Sequence, residues 1–426
     1  MKTRKGLSRR EFVKGSLAAL GAGLAAPAIV RAQPVTIEYW DFVDPNLQNP
    51  RSQMLKKNLA RFEELNPNIK VKAVRLPFAE IDRRLVQGAA AGVTPDVVKI
   101  YISSLTLHVE AGALEPLDAL AQKMDKSDWV LPWESTVLNG RKMALPYEHR
   151  VWITYYRKDI FDRVGLLPPK SWDDLCKAAP KLIAANISPY GMGFSKADNA
   201  SILAEFFNNI LFQVGTDVLD AKGLAAFGNE KGLRLFQLIS DLTKCKALPA
   251  EAPEYTYDHG RESVVAGRAA MTTLGSHQFV VARAAGPGEK LQWAPGPSFT
   301  GEIPPSSVYN WNLAIGKHSK NKEAAWKFLE YMASTEAQVN LAQGGEAPSR
   351  KSTFRHPWFS TPEAQLIKEW AEFMGKHGRY RQFPATWNEL TQILAEECQA
   401  IFLKGLPSRD AMNNVVKRFN ASVAKG

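Results

Sequence analysis

Cysteine is scarce in this sequence of 426 residues. The three cysteines, Cys176, Cys245 and Cys398, are far apart and show neither a paired spacing nor the spacing of a metal site. An odd number of cysteines argues against a scaffold built on disulfide bonds, so we expect no disulfide framework. Low-complexity tracts are also absent, and the 45% of hydrophobic and 23% of charged residues are typical of a soluble globular protein.

The signatures of common enzyme classes are missing as well. The seven histidines show no His-x-x-x-His spacing, and there is no phosphate-binding loop and no Gly-x-Ser-x-Gly turn. The adjacent acids Asp173–Asp174 and Glu396–Glu397 would point in different directions from a helix, so neither can serve as a catalytic pair. We therefore predict that the protein is not an enzyme, and we expect neither a cofactor nor a metal.

Positive charge exceeds negative charge, with 54 Lys and Arg against 43 Asp and Glu, a net charge of +11. Seven of the basic residues and only one acid stand in the first 32 positions, which leaves +5 for the remainder. That remainder contains no block of lysines and arginines, so the excess is typical of a solvated surface. The charge does not favour a nucleic-acid partner.

The first 32 residues are typical of an export signal. The basic segment Ser8-Arg9-Arg10-Glu11-Phe12-Val13-Lys14 precedes an apolar run at 17–30, which is shorter than the ~20 residues that span a membrane. Its adjacent arginines resemble the bacterial twin-arginine signal, which exports proteins already folded. Small residues before Gln33 predict cleavage after Ala32, so we expect a soluble mature protein in the periplasm.

Strands and helices are predicted to alternate along the mature chain. A chain of this length exceeds what one hydrophobic core holds, so two domains are expected. β-Prone runs at 36–40, 69–74 and 95–102 are separated by amphipathic segments, which predicts βαβ units and an α/β fold with a largely parallel sheet. The Pro- and Gly-rich stretch 285–307 is predicted to be loop, and 308–315 to be a strand.

One stretch, 139–161, combines an apolar strand pattern with a polar centre. Asn139-Gly140 is a turn signal, and apolar, β-prone residues follow on both sides of Pro146. Glu148, His149 and Arg150 stand between the two apolar runs. We interpret the stretch as a hinge strand that leaves one core, crosses a wet gap with its middle facing a cleft, and enters a second core.

Four blocks of sequence, in this order, resemble the extracellular solute-binding proteins of ABC importers, in the family 1 group that includes maltose-binding protein. The blocks are 92–98 with 112–118, 144–161 with 165–166 and 172–175, 265–276, and 314–329 with 347–352. The resemblance implies a two-lobed periplasmic-binding-protein fold of type II, in which each lobe is a mainly parallel sheet flanked by helices. A monomer would hold a carbohydrate or related polyol between the lobes and deliver it to a permease in the inner membrane.

The resemblance also implies where the lobes divide. The chain would cross between them near 144–152, 305–311 and 345–350. Lobe one would then consist of 34–146 plus 311–346, and lobe two of 147–310 plus 347–426.

A sugar site needs aromatic faces for C–H groups beside polar side chains for hydroxyl groups. Residues of these types at strand ends and crossings are the candidates, because α/β ligands bind beyond the carboxyl ends of strands. The candidate ligand-binding residues are Trp40, Asp41, Phe78, Tyr101, Ser103, His149, Arg150, Trp152, Gly275, Ser276, His277, Trp311 and Arg379. Strand aromatics also occur as plain core residues, so this alternative stays open for the tryptophans.

Arg150 leaves the charge of the ligand open. Sugar binders of this group more often carry acidic or uncharged residues in the middle of the first crossing. An anionic solute such as a sugar acid or a polyol phosphate, bound through Arg150, is therefore an alternative, and a secreted carbohydrate-active enzyme is a third. Arg150 could instead pair with Glu148 or another acid across the cleft, since a charge in a cleft seldom stays unpaired.

Overall fold

The computed structural model describes residues 34–196, 202–381 and 383–423, without the side chains of Phe78, Ala79 and Ile202. The predicted twin-arginine signal and its cleavage after Ala32 lie outside these residues. Among the helices that are described, none combines the length and the apolar character needed to cross a membrane.

Strands and helices alternate in the first part of the chain, and helices dominate its end. The strands are β1 (Val35–Asp41), β2 (Ile69–Arg75), β3 (Val97–Tyr101), β4 (Val137–Leu138), β5 (Arg141–Lys142), β6 (Leu145–Arg157), β7 (Ser188–Tyr190), β8 (Ala269–Gly275), β9 (Leu291–Ala294), β10 (Ser306–Ile315), β11 (Ala347–Pro348) and β12 (Gly378–Arg379). The helices are α1 (Pro50–Leu65), α2 (Phe78–Ala90), α3 (Leu105–Glu110), α4 (Lys158–Val164), α5 (Trp172–Ala184), α6 (Ile202–Val214), α7 (Glu230–Lys244), α8 (Tyr257–Val265), α9 (His277–Ala284), α10 (Lys322–Met332), α11 (Thr335–Gln343), α12 (Gln365–His377), α13 (Trp387–Lys404) and α14 (Ser408–Val423). The predicted α/β class is confirmed.

The main sheet has the strand order β2-β1-β3-β10-β6-β8-β7. β1 runs parallel to β2 and β3, and β7 runs parallel to β8. β10 is antiparallel to β3 and β6, and β6 is antiparallel to β8. The sheet is therefore mixed, and it differs from the mainly parallel expectation because the two long central strands run in opposite directions.

These two central strands pass from one hydrophobic cluster into another. β6 places Leu145 and Tyr147 in the smaller cluster, which packs around α1 and α10, and places Ile153 and Tyr155 in the larger cluster. β10 makes the same passage in the opposite direction. The passage between two cores stays a prediction, because the larger cluster also contains Val98 and Ile100 of β3. The predicted wet gap is wrong, because Glu148 at the centre of the strand has no exposed surface.

Short-range signals decide several boundaries. Asn139 and Gly140 both adopt positive φ, 51° and 71°, and form the two-residue turn between β4 and β5 that their pairing predicts. The Ser171 side chain caps α5 by accepting a hydrogen bond from the Asp174 N–H.

One predicted element differs from the structure. The stretch 285–307 is not all loop, because β9 lies within it and pairs with Thr154–Arg157 at the end of β6. β6 extends beyond its pairing with β10, so its end offers a free edge that recruits this short strand.

The expectation of no disulfide is wrong. Cys176 on α5 and Cys245 at the end of α7 form a disulfide, with their Cα atoms 5.4 Å apart. They are 69 residues apart in sequence, and they meet because α5 and α7 pack side by side. Cys398 is a free, buried thiol.

We predict that protein purified under oxidising conditions, then denatured and treated with iodoacetamide, is alkylated only at Cys398, and at all three cysteines after reduction. Reduction should also lower the free energy of unfolding by about 2–4 kcal/mol, because the bond closes a long loop in the unfolded chain. The double variant Cys176→Ser/Cys245→Ser is the control, and reductant should leave its stability unchanged. Three alkylated cysteines before reduction would contradict the disulfide.

Candidate functional site

A cavity of about 330 Å³ lies where β3, β6 and β10 meet the helices α1, α6, α8 and α9. Cavities of this size are typical of sites for small solutes. Its lining consists of Phe42, Arg51, Tyr101, Arg150, Trp152, Glu205, Tyr257, Asp258, Gly275, His277, Gln278, Tyr309 and Trp311.

Aromatic rings form much of the cavity wall. Tyr101 stacks on Tyr309 with ring centroids 5.9 Å apart and planes inclined by 14°, and it lies 4.9 Å from Trp311. Trp152 contacts Tyr309 at 6.3 Å and Tyr257 at 6.2 Å. Adjacent strands bring these rings together, because Trp311 lies opposite Tyr101 in the β10–β3 register. The wall can stack against the C–H face of a sugar or hold a cation.

Arg150 is held by carboxylates on one side of the cavity. Its Nε and one terminal nitrogen donate to the two oxygens of Glu346 at 3.0 and 2.8 Å, a bidentate pair, and the same terminal nitrogen lies 3.1 Å from Glu148. Arg150 therefore pairs as the open alternative predicted, with Glu148 and with a second acid.

The pair belongs to a larger buried ion cluster. Arg51 lies 2.5 Å from Glu148 and 3.1 Å from Glu346, and Lys99 lies 2.9 Å from Glu148. Asp41 lies 3.7 Å from Lys99 and completes a set of three cations and three carboxylates. We call these six residues the ion cluster: Asp41, Arg51, Lys99, Glu148, Arg150 and Glu346.

The ion cluster is balanced in charge. Burial alone raises the pKa of Glu148 and Glu346, but the cations Arg51, Lys99 and Arg150 outweigh burial and hold both pKa values below normal. Both carboxylates therefore stay ionised at neutral pH and neutralise the arginines beside them. The cluster presents no uncompensated positive charge to the cavity.

Glu205 on α6 is the remaining buried carboxyl of the lining. It is 5% exposed, and its Oε1 accepts a hydrogen bond of 2.5 Å from the Tyr101 hydroxyl. Within the described residues, Oε2 has no hydrogen-bond partner. Burial raises the pKa of Glu205 well above normal, and the hydrogen bond from Tyr101 and the charge of Arg150 only partly offset this. The empty cavity therefore favours the neutral acid.

Gly275 is required by close packing at the mouth of the cavity. A Cβ there would lie 2.9 Å from Nδ1 of His277 and 3.1 Å from the Tyr257 hydroxyl. The Gly275 N–H already donates to that hydroxyl at 2.9 Å. Burial, together with Arg150 and Arg51, lowers the pKa of His277 well below normal, so its ring is neutral.

The structure brings six of the thirteen predicted residues to the cavity: Tyr101, Arg150, Trp152, Gly275, His277 and Trp311. Side chains alternate along β6, so Arg150 and Trp152 face the cavity while His149 between them does not line it. The backbone of Phe78 begins α2, but its side chain lies outside the described part of the structure.

The other predicted residues lie elsewhere. Trp40 donates its indole N–H to Glu38 at 2.7 Å, and Asp41 belongs to the ion cluster. Ser103 is buried in the turn after β3, and Ser276 hydrogen-bonds the backbone of Val151. Arg379 is exposed and donates to the carbonyl of Gly378.

Sequence reasoning missed seven lining residues, and Glu205 is the most informative. They are Phe42, Arg51, Glu205, Tyr257, Asp258, Gln278 and Tyr309. Glu205 is the only charged residue in α6, between Leu203 and Phe206 of the apolar face, and this isolated acid was the signal available in the sequence. The described residues contain no group of three or more His, Cys, Asp or Glu side chains that could hold a metal ion.

Comparison with known proteins matches residues 45–339 to the family of bacterial extracellular solute-binding proteins. The sn-glycerol-3-phosphate-binding periplasmic protein UgpB of Brucella abortus is 27% identical over 350 residues, covering 73% of this chain and 75% of UgpB.

Two solved structures show the same architecture. Maltose-bound MalE3 of T. maritima is 25% identical with a TM-score of 0.77, over 91% of this chain and 100% of that chain. The GacH receptor of Streptomyces glaucescens GLA.O, solved unliganded and with acarbose, is 23% identical with a TM-score of 0.78, over 92% and 98%. These neighbours are two-lobed α/β proteins, and the chain shares their fold.

We predict that Arg150→Met lowers the free energy of unfolding by about 3–5 kcal/mol, because Glu346 and Glu148 stay buried with one cation fewer. The double variant Arg150→Met/Glu346→Met should recover more than half of this loss. Arg141→Met is the matched control, since the Arg141–Asp118 pair is exposed and worth about 1 kcal/mol or less. Urea denaturation measures all three, and additive losses in the double variant would contradict the coupling.

A pH-dependent loss of stability is predicted for His149. Burial lowers its pKa to about 3, against about 6.5 in the unfolded chain. Above pH 6.5 neither state binds the proton, and below it only the unfolded state does, so stability falls as pH falls towards 3. Between pH 6.5 and about 5 the wild type should lose about 2 kcal/mol more than His149→Gln.

Urea denaturation across this pH range tests the prediction for His149. His318→Gln replaces an exposed histidine, and this control should keep the wild-type slope of stability against pH. Equal slopes for the wild type and His149→Gln would show that the His149 ring does not resist protonation.

Proposed function

The chain belongs to the bacterial extracellular solute-binding proteins, and from this premise we propose that it captures a carbohydrate or related polyol for an ABC importer. Delivery is to the permease of that importer. A solute held by contacts from both lobes would stabilise the closed form of the protein, and the permease would favour that form.

One observation carries the choice of ligand class: both arginines of the cavity are already neutralised. Arg150 forms a bidentate ion pair with Glu346, and Arg51 forms ion pairs with Glu148 and Glu346. An anionic solute would have to compete with buried carboxylates for these cations. Stacked aromatic rings beside polar groups suit a polyhydroxy ligand, which needs ring faces and hydrogen bonds but no countercharge.

An anionic solute remains the second candidate. Arg51 and Arg150 do border the cavity, and the Brucella relative is named for binding sn-glycerol 3-phosphate. A solute of this class would be bound if the arginines turned from Glu148 and Glu346 towards a phosphate or carboxylate.

We propose the ligand contacts from the predicted residues that line the cavity: Tyr101, Arg150, Trp152, Gly275, His277 and Trp311. Asp41 and Ser276 would position residues near the cavity without touching the ligand. Asp41 pairs with Lys99, and Ser276 hydrogen-bonds the backbone of Val151. Trp40, Phe78, Ser103, His149 and Arg379 would require a ligand that extends beyond the cavity.

The division of the chain is also proposed, with lobe one at 34–146 plus 311–346 and lobe two at 147–310 plus 347–426. The two-lobed fold that the chain shares with its structural neighbours supports this division. We further propose export by the twin-arginine signal, cleavage after Ala32, and action as a periplasmic monomer that returns its ligand chemically unchanged.

A thermal-shift screen tests the ligand class. Carbohydrates or polyols without an acidic group should raise the melting temperature, and sugar acids or polyol phosphates should not. Trp311→Ala should weaken the best hit by about tenfold or more, because it removes a stacking face worth about 1–3 kcal/mol. Trp358→Ala, which changes a tryptophan outside the cavity, is the control.

Stabilisation by anionic compounds alone would contradict this proposal and favour the second candidate. If mass spectrometry shows that the protein converts any hit into another compound, the protein is instead an enzyme.

A further inference from the structure

Glu205 is a buried carboxyl with half of its hydrogen-bonding capacity unused. Glu205 lines the cavity, and Tyr101 satisfies its Oε1, while its Oε2 is buried without a hydrogen-bond partner among the described residues. A buried carboxylate oxygen normally has a donor or a cation beside it, since an unpaired one is costly. A ligand group that donates hydrogen bonds would therefore satisfy Glu205.

The cations near Glu205 form ion pairs with other carboxylates. The charge of Arg150 lowers the pKa of Glu205, but the Arg150 nitrogens bind Glu346 and Glu148. Arg51 binds the same two acids. Across 34–196, 202–381 and 383–423, no ion pair joins Glu205 to a lysine, arginine or histidine, although each member of the ion cluster lies in at least one ion pair.

Aromatic rings also lie near Glu205. Tyr101 and Tyr309 stack beside Glu205, and Asn208, one turn further along α6, donates to the Tyr309 hydroxyl at 3.0 Å. Trp152 packs against Tyr309 and adds a further ring. The electron-rich faces of such rings attract cations, and an adjacent carboxylate strengthens that attraction.

We propose that the solute carries a protonated amine, as in an amino sugar or an aminated polyol, and that Glu205 binds this ammonium group while the rings enclose it. The inference rests on the proposed function and names the subclass of carbohydrate or polyol. A neutral sugar would leave the second oxygen of Glu205 without a charged partner, and an acidic one would meet a carboxyl and two neutralised arginines.

Binding of an ammonium group should release a proton wherever Glu205 is protonated in the unliganded protein. Burial raises the pKa of Glu205 in the empty cavity, and a cation beside it would lower that pKa, so the carboxyl ionises as the ligand binds. Affinity should therefore rise with pH up to the pKa of the empty site. The other titratable or charged groups that line the cavity are Arg51, Tyr101, Arg150, Tyr257, Asp258, His277 and Tyr309.

Matched sets of ligands test the inference by isothermal titration calorimetry at about pH 7. Each set contains an amino, a neutral and an acidic form: glucosamine, glucose and glucuronate; chitosan disaccharide, cellobiose and cellobionate; serinol, glycerol and sn-glycerol 3-phosphate. In the set that binds, the amino member should be about tenfold tighter than the neutral one. Titration in two buffers of different ionisation enthalpy, repeated at several pH values, should report proton release below the pKa of Glu205 in the unliganded protein.

Glu205→Gln is the diagnostic variant, because an amide resembles the neutral acid in shape and should fold normally. It should abolish both the preference for the amino member and the release of protons, and it should retain binding of the neutral member. Glu372→Gln, at an exposed position of α12, is the matched control and should keep both. The melting temperature of each variant without ligand verifies folding.

The outcomes separate the two proposals. Tighter binding of neutral members, or an amino preference that survives Glu205→Gln, would overturn the inference and leave the proposed function standing. Tighter binding of acidic members would overturn the inference and favour the second candidate, an anionic solute. Absence of binding by every member, whatever its charge, would count against the proposed function and the inference together.

Discussion

Three cations and three carboxylates packed beneath the central strands are the constraint on which the rest of the structure depends. Removing charges from water is costly, and each charge of the ion cluster is tolerable only because oppositely charged groups lie within reach. Arg51 comes from α1, Lys99 from β3, Glu148 and Arg150 from β6, and Glu346 from the turn before β11. None of these elements can shift alone without leaving a buried charge unpaired, so the cluster holds one wall of the cavity in place.

The same cluster decides what the cavity can recognise. Because Glu346 and Glu148 neutralise Arg150 and Arg51, the arginines shape the wall without offering a net charge. Recognition is left to the aromatic faces and to groups with unused hydrogen-bonding capacity, above all Glu205. Arg150, which from sequence looks like an anion receptor, is paired with carboxylates in the structure, and we propose that Glu205, in an apolar helix, distinguishes solutes by charge.

The features that were predictable from sequence depend on neighbours along the chain. The turn at Asn139-Gly140, the cap at Ser171 and the alternation of β1 to β3 with α1 and α2 are encoded within a few residues of where they act. The ordered blocks of family resemblance extended this to the whole fold. Contacts between residues far apart in sequence could not be predicted. Glu346 is 196 residues from Arg150, and Cys245 is 69 residues from Cys176. Glu205 was missed because the sequence of an apolar helix shows neither that its single acid is buried nor that one of its carboxyl oxygens lacks a hydrogen-bond partner.

A crystal structure of the protein with its bound solute tests the central claim most directly. The account predicts that Arg150 keeps its bidentate pair with Glu346, that the solute lies between the rings of Tyr309, Trp152 and Trp311, and that a donor group of the solute reaches the second oxygen of Glu205. A structure in which Arg150 has left Glu346 to bind an anionic group of the solute would contradict it.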